Sequence, residues 1–105
     1  MGRAPRAAAL REGDLRAFHL IISGRVQGVW FRAWTSELAG ELGLRGWVRN
    51  RAEGSVEAVI AGPDEALETM LSRFQEGPPL AKVTGIEKEA WGGEVPEGFE
   101  QRPTA

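Results

Sequence analysis

Two spacings of apolar residues alternate along the chain from residue 17 onward, and each marks a different kind of element. Residues 17–23 (AFHLIIS) are short, β-rich and followed by Gly24, the pattern of a buried strand. Beyond the loop at 24–28 the period changes. Phe31, Trp34, Leu38 and Leu42 are spaced by three, four and four, which puts them on one helical face. Gly43 closes that helix as a left-handed cap, and Leu44 can fold back as the apolar residue that follows such a cap. Residues 44–50 (LRGWVRN) then alternate, with Leu44, Gly46, Val48 and Asn50 opposite Arg45, Trp47 and Arg49. Residues 55–61 (SVEAVIA) make the next strand, and the short tip between the two holds Gly54, so they pair as an antiparallel hairpin.

A second helix starts at 62–65 (GPDE), with proline expected at its first helical position and two acids in its first turn. Leu67, Met70, Leu71 and Phe74 form its buried stripe, and 77–79 (GPP) ends it. Residues 81–91 (AKVTGIEKEAW) read as a fourth strand whose alternation slips at Gly85, because Val83 and Ile86 are three apart. A bulge at the glycine would repair this. After a loop at 92–98, residues 99–102 can add a short edge strand before Pro103 blocks further pairing. The order βαββαβ predicts an α+β, ferredoxin-like split β-α-β sandwich: a four-stranded antiparallel sheet with two helices on one face. Residues 1–16 mix Arg, Ala and Pro without a sustained period and are expected to be a flexible N-terminal extension to a domain at 17–105.

Composition removes several kinds of function. A net charge of −2 leaves no electrostatic footprint for general nucleic-acid or anionic-membrane binding. No apolar run is long enough to cross a bilayer, and with no export signal a cytoplasmic location is expected. Cysteine is absent, so disulfides, thiolate nucleophiles and Cys-based metal sites are excluded. The single histidine, His19, alternates with strand residues and reads as structural or surface.

What remains is the loop before the first helix. Its position offers unpaired backbone N–H groups and the positive end of a helix dipole, and Gly24 and Gly28 would let the backbone approach an oxyanion. Arg32 falls in the first helical turn, where a cation opposes the dipole by about 0.3–1 kcal/mol. Its side chain leans back towards the loop, which makes sense if a phosphate fills the space between. A plain surface arginine accounts for it equally well. Asn50 ends a strand at a hairpin tip, where asparagine also serves as an ordinary turn residue.

Taken together, these residues match a known pattern. Residues 24–32 (GRVQGVWFR) resemble the GxVQGVxFR signature of acylphosphatases, and 46–50 (GWVRN) resemble that family's second signature, GWVxN. The similarity runs in order and spacing from Phe18 to Trp91, and more weakly over 99–102. The resemblance implies a metal-free, cofactor-free enzyme that hydrolyses acyl phosphates to a carboxylate and inorganic phosphate. It implies that Arg32 and the loop Gly24, Arg25, Val26, Gln27, Gly28 and Val29 hold the phosphate, with Asn50 positioning the attacking water. Inorganic phosphate would then be both product and competitive ligand. The expected protein is a monomer acting on a small molecule, with neither nucleic acid nor membrane as partner. Trp30 fills a variable position, and Arg51 stands where many members have Thr, which leaves the orientation of Asn50 without its usual neighbour. A non-catalytic ferredoxin-like module binding phosphate or carbamoyl phosphate is the alternative reading, and turnover of benzoyl phosphate separates the two.

Overall fold

A computed structural model describes residues 16–105, so the expectation of a flexible N-terminal extension falls, apart from Arg16, outside the described residues. Strand β1 (Arg16–Arg25) leads into helix α1 (Phe31–Leu42). Strands β2 (Arg45–Asn50) and β3 (Val56–Gly62) form the hairpin, followed by helix α2 (Asp64–Glu76), β4 (Lys82–Ala90) and β5 (Phe99–Gln101). The sheet order is β4-β1-β3-β2-β5. Because β1 and β2 are both antiparallel to β3, they run in the same direction on either side of it, the split β-α-β arrangement.

Alternation decides which side of the sheet is dry. Leu20 and Ile22 of β1 pair across from Ala58 and Val56 of β3, and Val48 of β2 shares the Ala58 row. These side chains form one buried cluster with Phe31, Leu38 and Ala39 of α1 and Leu67, Met70 and Phe74 of α2. The expected bulge is present. Ser23 pairs with Gly85 and Gly24 with Val83, so Thr84 is the extra residue, and Val83 and Ile86 both return to the helix side. Gly43 takes the left-handed cap conformation, with the amide of Leu44 donating to the carbonyl of Ala39.

Three details differ from the sequence expectation. Pro63 is the N-cap of α2 rather than its first helical residue. Its ψ of 153° is extended, and its carbonyl accepts from the amide of Leu67 to close the first turn. The fifth strand is real but pairs parallel with β2, which makes the sheet mixed. The cause is the route of the chain: after β4 it crosses the open face of the sheet, so it reaches the far edge running the same way as β2. Arg45 of β2 donates to the carbonyls of Val95 and Pro96 along that crossing, and Trp91 meets Trp47 edge-on at 6.4 Å. Finally, Pro103 interrupts the ladder without ending it, because Arg102 donates to the carbonyl of Val48 and Ala105 to that of Asn50.

The open face also holds a charge cluster. Glu57 has a side chain only 8% exposed and accepts from Arg49 Nε at 2.7 Å, with His19 Nε2 at 2.6 Å. His19 in turn stacks on Trp91, with ring centroids 5.5 Å apart, so this histidine is a structural residue. Burial alone would raise the Glu57 pKa, but the hydrogen bonds from His19 and Arg49 outweigh it and hold the carboxyl below its ordinary value.

Two stability predictions follow from these packing details. A depressed carboxyl pKa stabilises the fold fully above the unfolded value, about 4.3, and that contribution is lost as pH falls through the folded value. Glu57→Gln is therefore expected to cost about 1–3 kcal/mol at pH 7, with the gap to the parent protein closing below about pH 4. Urea unfolding across that range checks it, and a gap that does not change with pH would contradict it. Within α1, Thr35 Oγ1 is buried with no hydrogen-bond partner among the described residues. Thr35→Val keeps the shape and removes the orphaned hydroxyl, so the urea midpoint should rise by the equivalent of about 1 kcal/mol. A lower midpoint would show that the hydroxyl is satisfied.

Candidate active site

Because β1 and β2 run the same way, the chain leaving β1 and the last residue of β2 meet at one end of the sheet. A cavity of about 400 Å³ opens there, and its walls include Gly28, Trp30, Arg32 and Asn50. Arg32 and Asn50, well separated in sequence, are thus brought to one hollow. A larger hollow of about 700 Å³ lies at the opposite end of β1, beside Ala61 and Trp91. It borders the first described residue and includes neither of them.

The turn into α1 has the form of an anion nest. Gly28 (φ 73°) and Trp30 (φ 74°) are both left-handed, and alternating backbone conformations of this kind aim successive N–H groups towards a common point. A Cβ on Gly28 would meet no atom within 4 Å, so the glycine answers the backbone angle rather than crowding. The first helical turn adds to this. No side chain caps α1, and its first turn holds no acid, whereas α2 carries Asp64 and Glu65 there. The earliest amide seen bonding inside the helix is that of Trp34, to the carbonyl of Trp30. The amides of Phe31, Arg32 and Ala33 are therefore left to bind something else.

The predicted phosphate loop divides in two. Gly24 and Arg25 belong to β1, paired with Val83 and Lys82 of β4. A Cβ on Gly24 would lie 2.1 Å from the carbonyl oxygen of Lys82, so the close approach this glycine permits is to the neighbouring strand. Val26 and Val29 are both packed into the core, and Val26 also reaches the cavity wall. Gln27 has a role that sequence reasoning missed. Its side-chain amide donates to the carbonyls of Arg51 and Ser55, each at 2.8 Å, tying the loop to the hairpin tip just beyond Asn50. No sequence signal distinguishes this from an exposed loop glutamine, since the partners are backbone atoms of a distant turn.

Arg32 is half-buried, and among the described residues its guanidinium has neither a carboxylate partner nor a hydrogen bond. Other arginines are engaged: Arg49 with Glu57, Arg51 with Glu53, and Arg102 with Glu100. Asn50 pairs through its backbone with Val56, and its side-chain amide makes no hydrogen bond among the described residues. The role of an ordinary turn residue is filled by others. Gln27 holds two tip carbonyls, and the Glu53 carboxylate accepts from the amide and hydroxyl of Ser55. Those bonds, the backbone one first, lower the Glu53 pKa. Arg51 turns towards Glu53 and Glu57 and makes no hydrogen bond to the Asn50 side chain among the described residues. Among the described residues, no group of three or more His, Asp or Glu could hold a metal ion, and no helix is long and apolar enough to cross a membrane.

Comparison with known proteins agrees with this architecture. The acylphosphatase family model matches residues 18–101. An acylphosphatase of Rhizorhabdus wittichii is 55% identical over 91 residues, covering 87% of this chain and 92% of that protein. One from Rhizobium meliloti is 55% identical over 87 residues, covering 82% and 92% respectively. Among solved structures, an acylphosphatase from Coxiella burnetii superposes with a TM-score of 0.81 at 36% identity, over 85% of this chain and 94% of that one. With nearly the whole length of these relatives matched, the chain belongs to the acylphosphatase family and hydrolyses acyl phosphates.

Proposed function

We propose that the cavity at the β1–α1 turn is where this hydrolysis occurs, with Arg32 and the amides of the nest holding the phosphoryl group and Asn50 holding the water. The observation that carries this reading is the half-buried, unpaired guanidinium of Arg32 in the same hollow as the unpaired amide of Asn50. A cation in the acid-free first turn of a helix costs stability unless an anion sits between it and the N–H groups. Of the loop named above, the residues from Val26 to Val29, continuing into the first turn of α1, would supply the amides.

The chemistry asks little of the protein. Acyl-phosphate hydrolysis transfers a phosphoryl group to water with a carboxylate leaving, and a carboxylate departs without a strong general acid. Catalysis then reduces to placement and charge stabilisation. The bidentate fork of Arg32 and the loop amides would hold the equatorial oxygens as an oxyanion hole does. Asn50 would fix the water in line without taking its proton. That proton passes to an oxygen of the substrate's own phosphate, which accounts for a site whose walls include no His, Asp or Glu. Inorganic phosphate, as product, should compete for the same nest. The same reading includes a monomeric, cytoplasmic protein without nucleic-acid or membrane partner. Trp30 and Leu80 are the large apolar side chains left exposed among the described residues, too few for an extended contact surface.

Two experiments test this. In a benzoyl phosphate assay, Arg32→Ala should lower kcat by about 10²–10³-fold, and Arg32→Lys should recover little of it, because the fork is lost. Asn50→Ala should remove turnover while inorganic phosphate still binds; equal loss of phosphate binding would refute the assigned division of labour. Separately, the pH profile of kcat/KM should lack a limb from an enzyme base, and chelator should leave turnover intact. An ionisation traceable to His19 or a carboxylate would overturn the substrate-assisted route.

A further inference from the structure

The side chain at position 30 has no evident work in the fold. Trp30 is 73% exposed, although it is among the largest apolar side chains present. Its ring stacks on no other ring and under no cation among the described residues, while Trp34, Trp47 and Trp91 each have such partners. It also stands outside the core cluster and the partly buried side chains packed on it. Its backbone is nonetheless left-handed (φ 74°, ψ 19°), the one positive-φ residue other than glycine among those described. A bulky residue in that region is strained, and glycine would make the same turn at less cost. Position 30 therefore carries a strained backbone and a solvent-exposed indole, with no internal packing to offset either.

Its location suggests what the indole serves. Trp30 forms part of the wall of the cavity that includes Arg32 and Asn50. A phosphoryl group seated on the amides at the floor must project its acyl group towards the rim, where the indole stands. Resting on the site assignment above, we propose that Trp30 is a specificity-determining residue. Its indole packs against the acyl group and favours substrates whose acyl part is aromatic over those with a small aliphatic one. A planar acyl group can stack on or meet the edge of the indole, whereas an acetyl group is too small to cover it.

The test compares kcat/KM for benzoyl phosphate and acetyl phosphate in the parent protein and in Trp30→Gly, Trp30→Leu and Trp30→Phe, with Arg32→Ala alongside. Glycine retains the left-handed turn, so its effect reports the lost ring rather than a lost loop. The benzoyl-to-acetyl ratio should fall about two- to tenfold in the Gly and Leu variants and recover in the Phe variant. An unchanged ratio in Trp30→Gly, or equal losses on both substrates, would overturn the proposal while an inactive Arg32→Ala leaves the site assignment standing. Full activity of Arg32→Ala would remove both.

Discussion

The structure turns on a set of donors that the fold leaves unspent. Where β1 hands over to α1, left-handed residues at 28 and 30 turn backbone N–H groups towards one point, and the helix begins without a side-chain cap. Arg32 adds a guanidinium with no partner among the described residues. Donors and a cation collected this closely repel one another, which is the physical ground for the proposed anion site. The split β-α-β topology is what makes this useful. It brings the end of β2, and with it Asn50, to the same end of the sheet.

Holding two segments in place at the end of a sheet requires more than the strands themselves. Gln27 bridges from the loop to the hairpin tip. Glu53 closes the tip from within, and the segment after β5 reaches the carbonyl of Asn50 through the amide of Ala105. On the open face of the sheet, Glu57 gathers Arg49 and His19 into one network, with Arg51 nearby. Arg49 and Arg51 flank Asn50 in sequence and both lean towards this carboxylate, so their charges are drawn away from the cavity.

Much of this was legible from spacing alone. The period of Phe31, Trp34, Leu38 and Leu42, the cap at Gly43, the hairpin around Gly54 and the bulge beside Gly85 follow from local rules that the tertiary structure respects. The two short signatures single out Arg32 and Asn50, which the fold brings to one cavity, and their roles remain those proposed above. What could not be read were contacts between side chains and distant backbone, such as Gln27 with the tip, and the parallel pairing of β5. Both depend on where a loop travels, and the loop at 92–98 carries no period to show that it crosses the open face. The packing of Gly24 was hidden for a similar reason: its neighbour is a carbonyl of β4, brought close by sheet pairing.

The strand order has a bearing on how the chain reaches this state. In the sequence β4-β1-β3-β2-β5, only β2 and β3 are both neighbours in the sheet and joined by a short turn. Every other pairing must close a long segment of chain before any hydrogen bond rewards it, an entropic toll of non-local topology. The β2–β3 hairpin is thus the natural local nucleus, and Asn50 sits at its tip. Recruitment of β1 to the far side of β3 is one of these non-local pairings, and it brings the β1–α1 turn and Asn50 to the same end of the sheet. Completion of the sheet and assembly of the proposed site therefore draw on the same non-local contacts.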